Sequence, residues 1–439
     1  MKLLPLVLSV FIFLLYLIYE RILLNRQRNA IPLRISVTGT RGKSSVVRII
    51  ASILREDGRR VIAKTTGSQA RYVMPDAQEI EIKRCGITSI IEQKKFIKKA
   101  AKIRADCLVA EIMSIHPENH YIESHQILQP HIIVITNVRQ DHTEAMGKTK
   151  EEIASVFCLD IPAGAVVFVP QRENNPLFVT AAQNAAGELI EVPEGISSSL
   201  LPLTPDLTRK EFSDNLDLVC ALGRHLHIDP KVILTGIRKT QHDIGELKIW
   251  KYRSHETQKT FYFVNGFAAN DPESTWQVLA KVKKILPSAS DKLIGLLSLR
   301  ADRGDRSKQW FEFLSNGAVD GFSRLYVTGA HANIFKRTLQ SAVKPRWFAY
   351  SSDVIPEESF DNPRYDDGSK KKSSRMTSRP PSEKLQSVSI LKNKPPEAMM
   401  KTLLAEIEDQ SVIFGFGNMK GRGELLVDYW NKIGEVYEL

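Results

Sequence analysis

The sequence predicts an α/β protein: a mostly parallel sheet with a phosphate loop at one strand end, a second α/β domain after it, and one apolar helix in front. Three observations predict this. The stretch Ile35-Ser36-Val37-Thr38-Gly39-Thr40-Arg41-Gly42-Lys43-Ser44-Ser45 runs from an apolar strand through a glycine-spaced turn into the helical pattern Val46-Val47-Arg48-Ile49-Ile50. Apolar runs then alternate with helix-like segments along the chain, and nothing between Leu3 and Tyr19 carries a charge.

The uncharged run is long enough for a slightly short or tilted membrane helix. No small-residue cleavage site follows it; Glu20, Arg21, Arg26 and Arg28 do. Basic residues after a span hold the remainder in the cytoplasm, so we expect a single-pass protein of the cell membrane with its N-terminus outside. Residues 1–30 are read as anchor and basic linker, 31–245 as a nucleotide-binding domain and 246–439 as a second domain. A chain of 439 residues exceeds what one core usually serves.

The glycine-spaced turn carries the chemistry. Gly39 and Gly42 let the backbone curl so that successive N–H groups point inward, the helix adds its positive N-terminal end, and Lys43 supplies a cation. Residues Gly39, Thr40, Arg41, Gly42, Lys43, Ser44 and Ser45 would cradle phosphate, with the Ser44 hydroxyl placed to hold a magnesium ion. The spacing G-x-x-G-K-S is two residues shorter than the general G-x-x-x-x-G-K-[ST] pattern. Nucleotide plus metal is the expectation.

Strands are read at Leu33–Thr38, Arg60–Thr65, Asp106–Ile112, His131–Asn137 and Ala165–Val169, with helical segments such as Ile90–Arg104 between them. Nearly wholly apolar strands separated by helices argue a parallel sheet covered on both faces, with ligands at the strand C-terminal ends. Two such ends carry polar residues: Glu111 after Leu108-Val109-Ala110, and Asp141-His142 after Ile133-Val134-Ile135-Thr136-Asn137. Beside Ser44, the carboxylate of Glu111 and the imidazole of His142 would complete the coordination of magnesium, or manganese, bridging ATP phosphates.

Composition sets weaker bounds. Lys and Arg total 61 against 50 Asp and Glu, a net charge of +11, which suits an anionic substrate, a nucleic acid or an anionic membrane face without choosing between them. The four cysteines, Cys85, Cys107, Cys158 and Cys220, lack C-x-x-C spacing, which predicts reduced core thiols and no zinc site.

The set GTRGKSS, Ala110-Glu111-Ile112-Met113-Ser114, Thr136-Asn137-Val138, Asp141-His142 and Met146-Gly147 resembles the ATP-dependent Mur ligase superfamily, which includes peptidoglycan ligases and folylpolyglutamate synthase. The segments Val264-Asn265-Gly266-Phe267-Ala268-Ala269-Asn270-Asp271, Arg300-Ala301-Asp302-Arg303-Gly304-Asp305-Arg306 and Phe414-Gly415-Phe416-Gly417-Asn418 are similar to its poly-γ-glutamate-forming branch. The membrane span placed directly before the phosphate loop, with no extra N-terminal substrate domain expected, fits that branch. The resemblance implies a P-loop central ATPase domain, a Rossmann-like C-terminal domain, and γ-glutamyl ligation through an acyl phosphate. It implies catalytic roles for Lys43, Glu111 and His142, an adenine contact from Asn215, and nucleotide contacts from Lys248 and Asn270. Glutamate, the growing chain and membrane-embedded partners for synthesis and export are the implied partners, and no nucleic acid is expected. The chain departs from the superfamily at Phe267, where peptidoglycan ligases carry lysine, at Asn265, where aspartate is usual, and at Lys248, where arginine is usual.

In the second half, strands are read near Phe261–Val264, Leu293–Ser298, Arg324–Thr328 and Ser411–Phe414, with a tight turn at Gly415–Asn418. Arg300, Arg303 and Arg306 follow an apolar strand, where guanidinium groups suit a polyanion, although Asp302 and Asp305 offset them. Residues from about 351 to 385 are too polar and proline-interrupted to bury a core and are read as a flexible insert. Two alternatives stay open: a ligase of the same superfamily acting on another amino acid, and a membrane-tethered nucleotide-binding module that regulates or binds nucleic acid.

Overall fold

The computed structural model describes residues 4–66, 70–84, 88–201, 212–240, 247–269, 271–286, 292–317, 321–348 and 387–437. Cys85, Asn270 and the 351–385 segment lie outside the described residues. The chain divides into two compact units, Met1–Glu246 and Leu247–Glu438.

The first unit holds an eight-stranded sheet of order β4-β3-β2-β5-β1-β6-β7-β8. Its central strand β1 (Leu33–Thr38) lies between β5 (Cys107–Glu111) and β6 (Ile132–Ile135), parallel to both. Strands β2 (Val61–Thr65), β7 (Val166–Pro170) and β8 (Glu188–Val192) continue the parallel order. Two short strands, β3 (Arg71–Val73) and β4 (Glu79–Glu81), extend it antiparallel. These two and β8 escape the sequence reading because they are partly exposed and lack a continuous apolar run, as strands at a sheet margin do.

Burial explains why β1 is central. Ile35 and Val37 are fully buried, and the helix α2 (Lys43–Glu56) that follows buries every residue from Val46 to Leu54. Helices Ser213–His225 and Pro230–Arg238 pack in the same core through Leu216, Val219, Ile233 and Ile237. A parallel strand covered on both faces delivers its C-terminal end, here Thr38, to the sheet rim with little freedom.

Helix α1 (Leu4–Asn29) is 26 residues long and apolar enough to cross a membrane, and the residues of its apolar window are unburied. Its last turns behave differently. Leu24 is buried in a cluster with Phe96, Ile97 and Ala100 of helix α3 (Ile91–Lys102), and Arg28 donates to the carbonyls of Gln126 and Ile127.

The second unit holds a seven-stranded sheet, β13-β12-β11-β14-β10-β9-β15. Strands β10 (Thr260–Asn265), β11 (Leu293–Leu299), β12 (Arg324–Gly329), β13 (Ser387–Ile390) and β14 (Ser411–Gly417) are parallel. Strands β9 (Ile249–Arg253) and β15 (Glu435–Val436) add two antiparallel strands, with β15 at the edge. The turn read at Gly415–Asn418 is corrected: Gly415, Phe416 and Gly417 are the buried end of β14, and β15 rather than β14 is the last strand. Small residues are needed there because a side chain at Gly415 would run into Phe267 and Trp430. Phe267 is itself fully buried, its ring stacked 5.8 Å from that of Trp430. Phe267 therefore belongs to the core.

Burial pushes the thiols of Cys107 and Cys158 up to about 11 and that of Cys220 up to about 12. All three stay protonated and unreactive near neutral pH. Among the described residues, no group of three or more His, Cys, Asp or Glu side chains could hold a metal ion by itself.

Candidate active site

The phosphate loop is built by two glycines in the left-handed region. Gly39 has φ +118°, and a Cβ there would lie 2.3 Å from Thr136 Oγ1; Gly42 has φ +80° and precedes the first turn of α2. The loop is braced from the end of β6. Asn137 accepts the Arg41 N–H at 3.0 Å and donates back to the Arg41 carbonyl at 3.0 Å, while Thr136 Oγ1 donates to that carbonyl at 2.6 Å. The backbone curve is thus fixed before any ligand arrives, which is what anion recognition by N–H groups requires.

Lys43 folds its ammonium under the loop onto the Gly39 carbonyl at 2.6 Å. Desolvation there holds its pKa below the ordinary lysine value; Glu111, Asp141 and Asp160 pull it up, and Arg41 pushes it down. A neighbouring anion such as a phosphate would favour the charged form.

Glu111 ends β5, paired in register with Val37 of β1, and is 4% exposed. Its Oε2 accepts from Ser44 Oγ at 2.7 Å and from the Thr66 N–H at 2.8 Å. A hydroxyl on the first turn of the loop helix and a carboxylate on the adjacent strand end are thus within one hydrogen bond. Two hard oxygen donors beside a lysine match the ligand chemistry of magnesium or manganese with a polyphosphate, so the residues fit both groups.

His142 lies on the loop after β6, with φ +48° and its side chain about one-third exposed. Its neighbour Asp141 makes the firmer link to the phosphate loop, an ion pair with Arg41 at 3.1 Å. Asn215, on the helix Ser213–His225, is buried against the loop: its Oδ1 would stand 2.9 Å from a Cβ at Gly42. Lys248 belongs to the second unit, where its carbonyl accepts the Asn265 N–H.

Three supports were not anticipated. Gln93 of α3 donates to the Glu111 carbonyl at 3.1 Å and to Glu123 at 2.6 Å, while Glu123 accepts from Ser114 Oγ and from the backbone N–H groups of Met113 and Ser114. Asp160 accepts from Thr38 Oγ1 at 2.6 Å and from Ser124 Oγ at 3.0 Å, and it lies 3.0 Å from His120 Nδ1. For His120, desolvation is outweighed by Asp160 and Glu123, so its pKa is raised. Gln93 was detectable as a polar residue on the apolar stripe of α3, in step with Phe96, Ile97 and Ala100. Asp160 gave no signal, because its partner Thr38 is 122 residues away.

In the second unit, Arg300 pairs with Asp302 and Arg303 with Asp305, while Arg306 donates to Asn418 at 3.3 Å. The carboxyls of Asp302 and Asp305 are accordingly held below the usual range, the former chiefly by its hydrogen bond to Arg300, the latter by Arg303 against the opposing effect of burial. A cavity of about 340 Å³ opens beyond β11 and β12, lined by Leu299, Arg300, Ala301, Gly329, Lys420 and Arg422 among others. Three lining cations and no lining carboxylate suit an anionic ligand. Of the three arginines of the knot, only Arg300 lines it.

Comparison with known proteins bears on both units. Residues 37–219 match the Mur ligase middle domain, and residues 250–433 match the poly-gamma-glutamate synthase CapB C-terminal domain. The chain is 31% identical over 300 residues to the capsule biosynthesis protein CapB of Bacillus anthracis, covering 68% of this chain and 63% of that protein, just under two thirds of its length. It is 28% identical over 407 residues to the PGA synthase CapB of Bacillus subtilis (strain 168), covering 91% of this chain and 90% of that protein. A bifunctional folylpolyglutamate synthase/dihydrofolate synthase from Yersinia pestis, solved with AMPPNP and Mn ion, shares the fold at TM-score 0.61 and 10% identity, covering 94% of this chain and 92% of that one. MurF from Acinetobacter baumannii does so at TM-score 0.57 and 15% identity, over 94% of this chain and 78% of that one. With a Mur ligase middle domain around its phosphate loop and, later in the sequence, a CapB-type C-terminal domain, the chain belongs to the Mur ligase superfamily.

Proposed function

We propose that this protein is an ATP-dependent amide ligase that joins glutamate through γ-linkages, converting ATP, glutamate and a chain to ADP, phosphate and a chain one residue longer. The observation that carries the reading is the cluster of Lys43, Ser44 and Glu111, with the Ser44–Glu111 bond of 2.7 Å. It stands in a chain whose two matched domains are those of a Mur ligase and a poly-γ-glutamate synthase.

A carboxylate acylates amines poorly because its leaving group would be an oxide, so amide formation in water needs activation. A carboxylate oxygen of glutamate or of the chain attacks the γ-phosphorus of ATP, and the bond to the β-phosphate oxygen breaks to release ADP. The amine of the incoming partner then attacks the acyl carbon, loses a proton, and expels phosphate. The loop residues Gly39, Thr40, Arg41, Gly42 and Ser45 hold the phosphates through their backbone, and Lys43 sets a positive charge against the oxygens on which charge grows. Ser44, Glu111 and His142 are the ligands we assign to the metal, which when bound would draw charge off the bridging phosphate oxygens. Asn215, beside the loop at Gly42, is assigned to the adenine, and Lys248 and Asn270 keep the nucleotide role that the family resemblance implies for them. Arg300 on its cavity, with Arg303 and Arg306 of the same segment, is assigned to the free α-carboxylates of the γ-linked chain. Helix α1 anchors the chain with its N-terminus outside and both units in the cytoplasm, where ATP is, beside membrane partners that export the polymer.

The test is direct: membranes bearing the protein, ATP and labelled glutamate should yield a γ-linked polymer, with phosphate release dependent on glutamate among a panel of amino acids. Phosphate release indifferent to glutamate would overturn the reading.

A further inference from the structure

Helix α3 has two faces of opposite character. Gln93, Phe96, Ile97 and Ala100 are buried against the sheet and the last turns of α1. Ile91, Lys95, Lys98 and Lys102, spaced by four, three and four residues, form one exposed stripe on the other side. Ile91 is 55% exposed. Lys94, between the two faces, forms an ion pair with Glu20 of α1 at 3.0 Å. Lys99 caps the Tyr72 ring. Among the described residues, Lys95, Lys98 and Lys102 have no carboxylate within ion-pairing distance.

The position of this stripe is what gives it meaning. Glu20 is the first charged residue after the apolar run of α1, so it marks where that helix leaves a bilayer. Lys94 sits on Glu20, which puts the N-terminal half of α3 at the same level. At a rise of about 1.5 Å per residue, Lys95 and Lys98 fall within roughly a Debye length of that level, and Lys102 lies at about its limit. An exposed isoleucine leading a run of unpaired lysines, at the height where a span ends, is the composition of a surface that meets lipid headgroups.

We infer that the Ile91–Lys95–Lys98–Lys102 face of α3 docks on the anionic headgroups of the leaflet that α1 enters. The inference rests on the reading of α1 as a membrane span. Docking holds the first unit at two places, the anchor and α3. Because Gln93 of the same helix bonds the Glu111 carbonyl and Glu123, the docked helix is also the one that supports the metal-ligand end of β5.

Lysine footprinting of the full chain in lipid nanodiscs tests this. In discs containing phosphatidylglycerol, acetylation of Lys95 and Lys98 should slow by roughly fivefold relative to phosphatidylcholine discs, and 1 M salt should restore it. The exposed Lys239 and Lys308 should label alike in both. Equal labelling of the stripe in both kinds of disc, in a chain that does enter discs, would overturn the docking alone. A chain that stays in solution when discs form would overturn the span and the docking with it. Protection by added poly-γ-glutamate in detergent, without protection in anionic discs, would assign the stripe to a polyanionic product and overturn the lipid assignment.

Discussion

Replacing Glu111 by glutamine removes one negative charge and almost no volume, at a point where three features of the site meet. The carboxylate accepts two hydrogen bonds on one oxygen, from Ser44 Oγ at 2.7 Å and from the Thr66 N–H at 2.8 Å, and is 4% exposed. A bond to a charged acceptor is worth roughly 1 kcal/mol more than one to a neutral acceptor, so the substitution should cost about 2 kcal/mol of stability. Lys43 also loses an attractive neighbour, which lowers its pKa further from a value that burial already holds down. The largest effect falls on the metal, because a neutral amide replaces an anionic ligand. We expect the half-saturating magnesium concentration for phosphate release to rise about tenfold or more, by analogy with losses at supporting residues of metal sites. The assay is initial phosphate release against magnesium at saturating ATP, with a melting curve on the same sample to verify folding. A folded Glu111→Gln protein with an unchanged magnesium curve would refute the assignment of β5's end to the metal.

Four further outcomes follow from the same geometry. Lys43→Ala should keep its stability within about 1 kcal/mol, since it loses one partly exposed bond, and lose at least about a hundredfold in turnover; wild-type turnover would remove the loop from the reaction. Gly39→Ala should abolish nucleotide binding measured by calorimetry, because a left-handed residue costs about 1–2 kcal/mol and its Cβ would stand 2.3 Å from Thr136 Oγ1, forcing the loop away from Thr136. His120 has a raised pKa, so the stability from its charged form beside Asp160 is complete below about pH 6.5 and is lost as pH rises through the folded value. Melting points across that window should therefore fall in the wild type relative to His120→Gln, and parallel curves would contradict the charged pair. Phe267→Ala should destabilise the second unit by about 3–5 kcal/mol through the cavity left beside Trp430; a near-neutral change with weakened ATP binding would instead return position 267 to the nucleotide.

Much of the first unit was legible because its signals are local. The phosphate loop, the apolar strands and the end residue Glu111 each announce themselves within a dozen residues, and a parallel sheet buried on both faces leaves few alternatives for where they meet. What escaped was set by distance or by exposure. Asp160 reaches Thr38 across 122 residues, and Gln93 serves Glu111 from a helix that reads only as amphipathic. Strands β3 and β4 at one margin of the first sheet, and β9 and β15 at one margin of the second, are made strands by pairing rather than by pattern. Gly415–Asn418 read as a turn because two glycines in four residues usually make one; here Gly415 makes room for Phe267 and Trp430, and only the residues after Gly417 leave the strand. The knot of arginines read as a ligand edge; Arg300 and Arg303 pair with Asp302 and Asp305, and of the three arginines only Arg300 lines the cavity.

One measurement bears most directly on the central claim, that nucleotide and metal meet at the ends of β1, β5 and β6. In a crystal of the protein grown with ADP and manganese, the anomalous signal should lie within coordination distance of Ser44 Oγ and the Glu111 carboxylate, with the diphosphate on the Gly39–Ser45 backbone. Diphosphate and manganese bound at any other strand ends, with Ser44 and Glu111 still bonded only to each other, would contradict it.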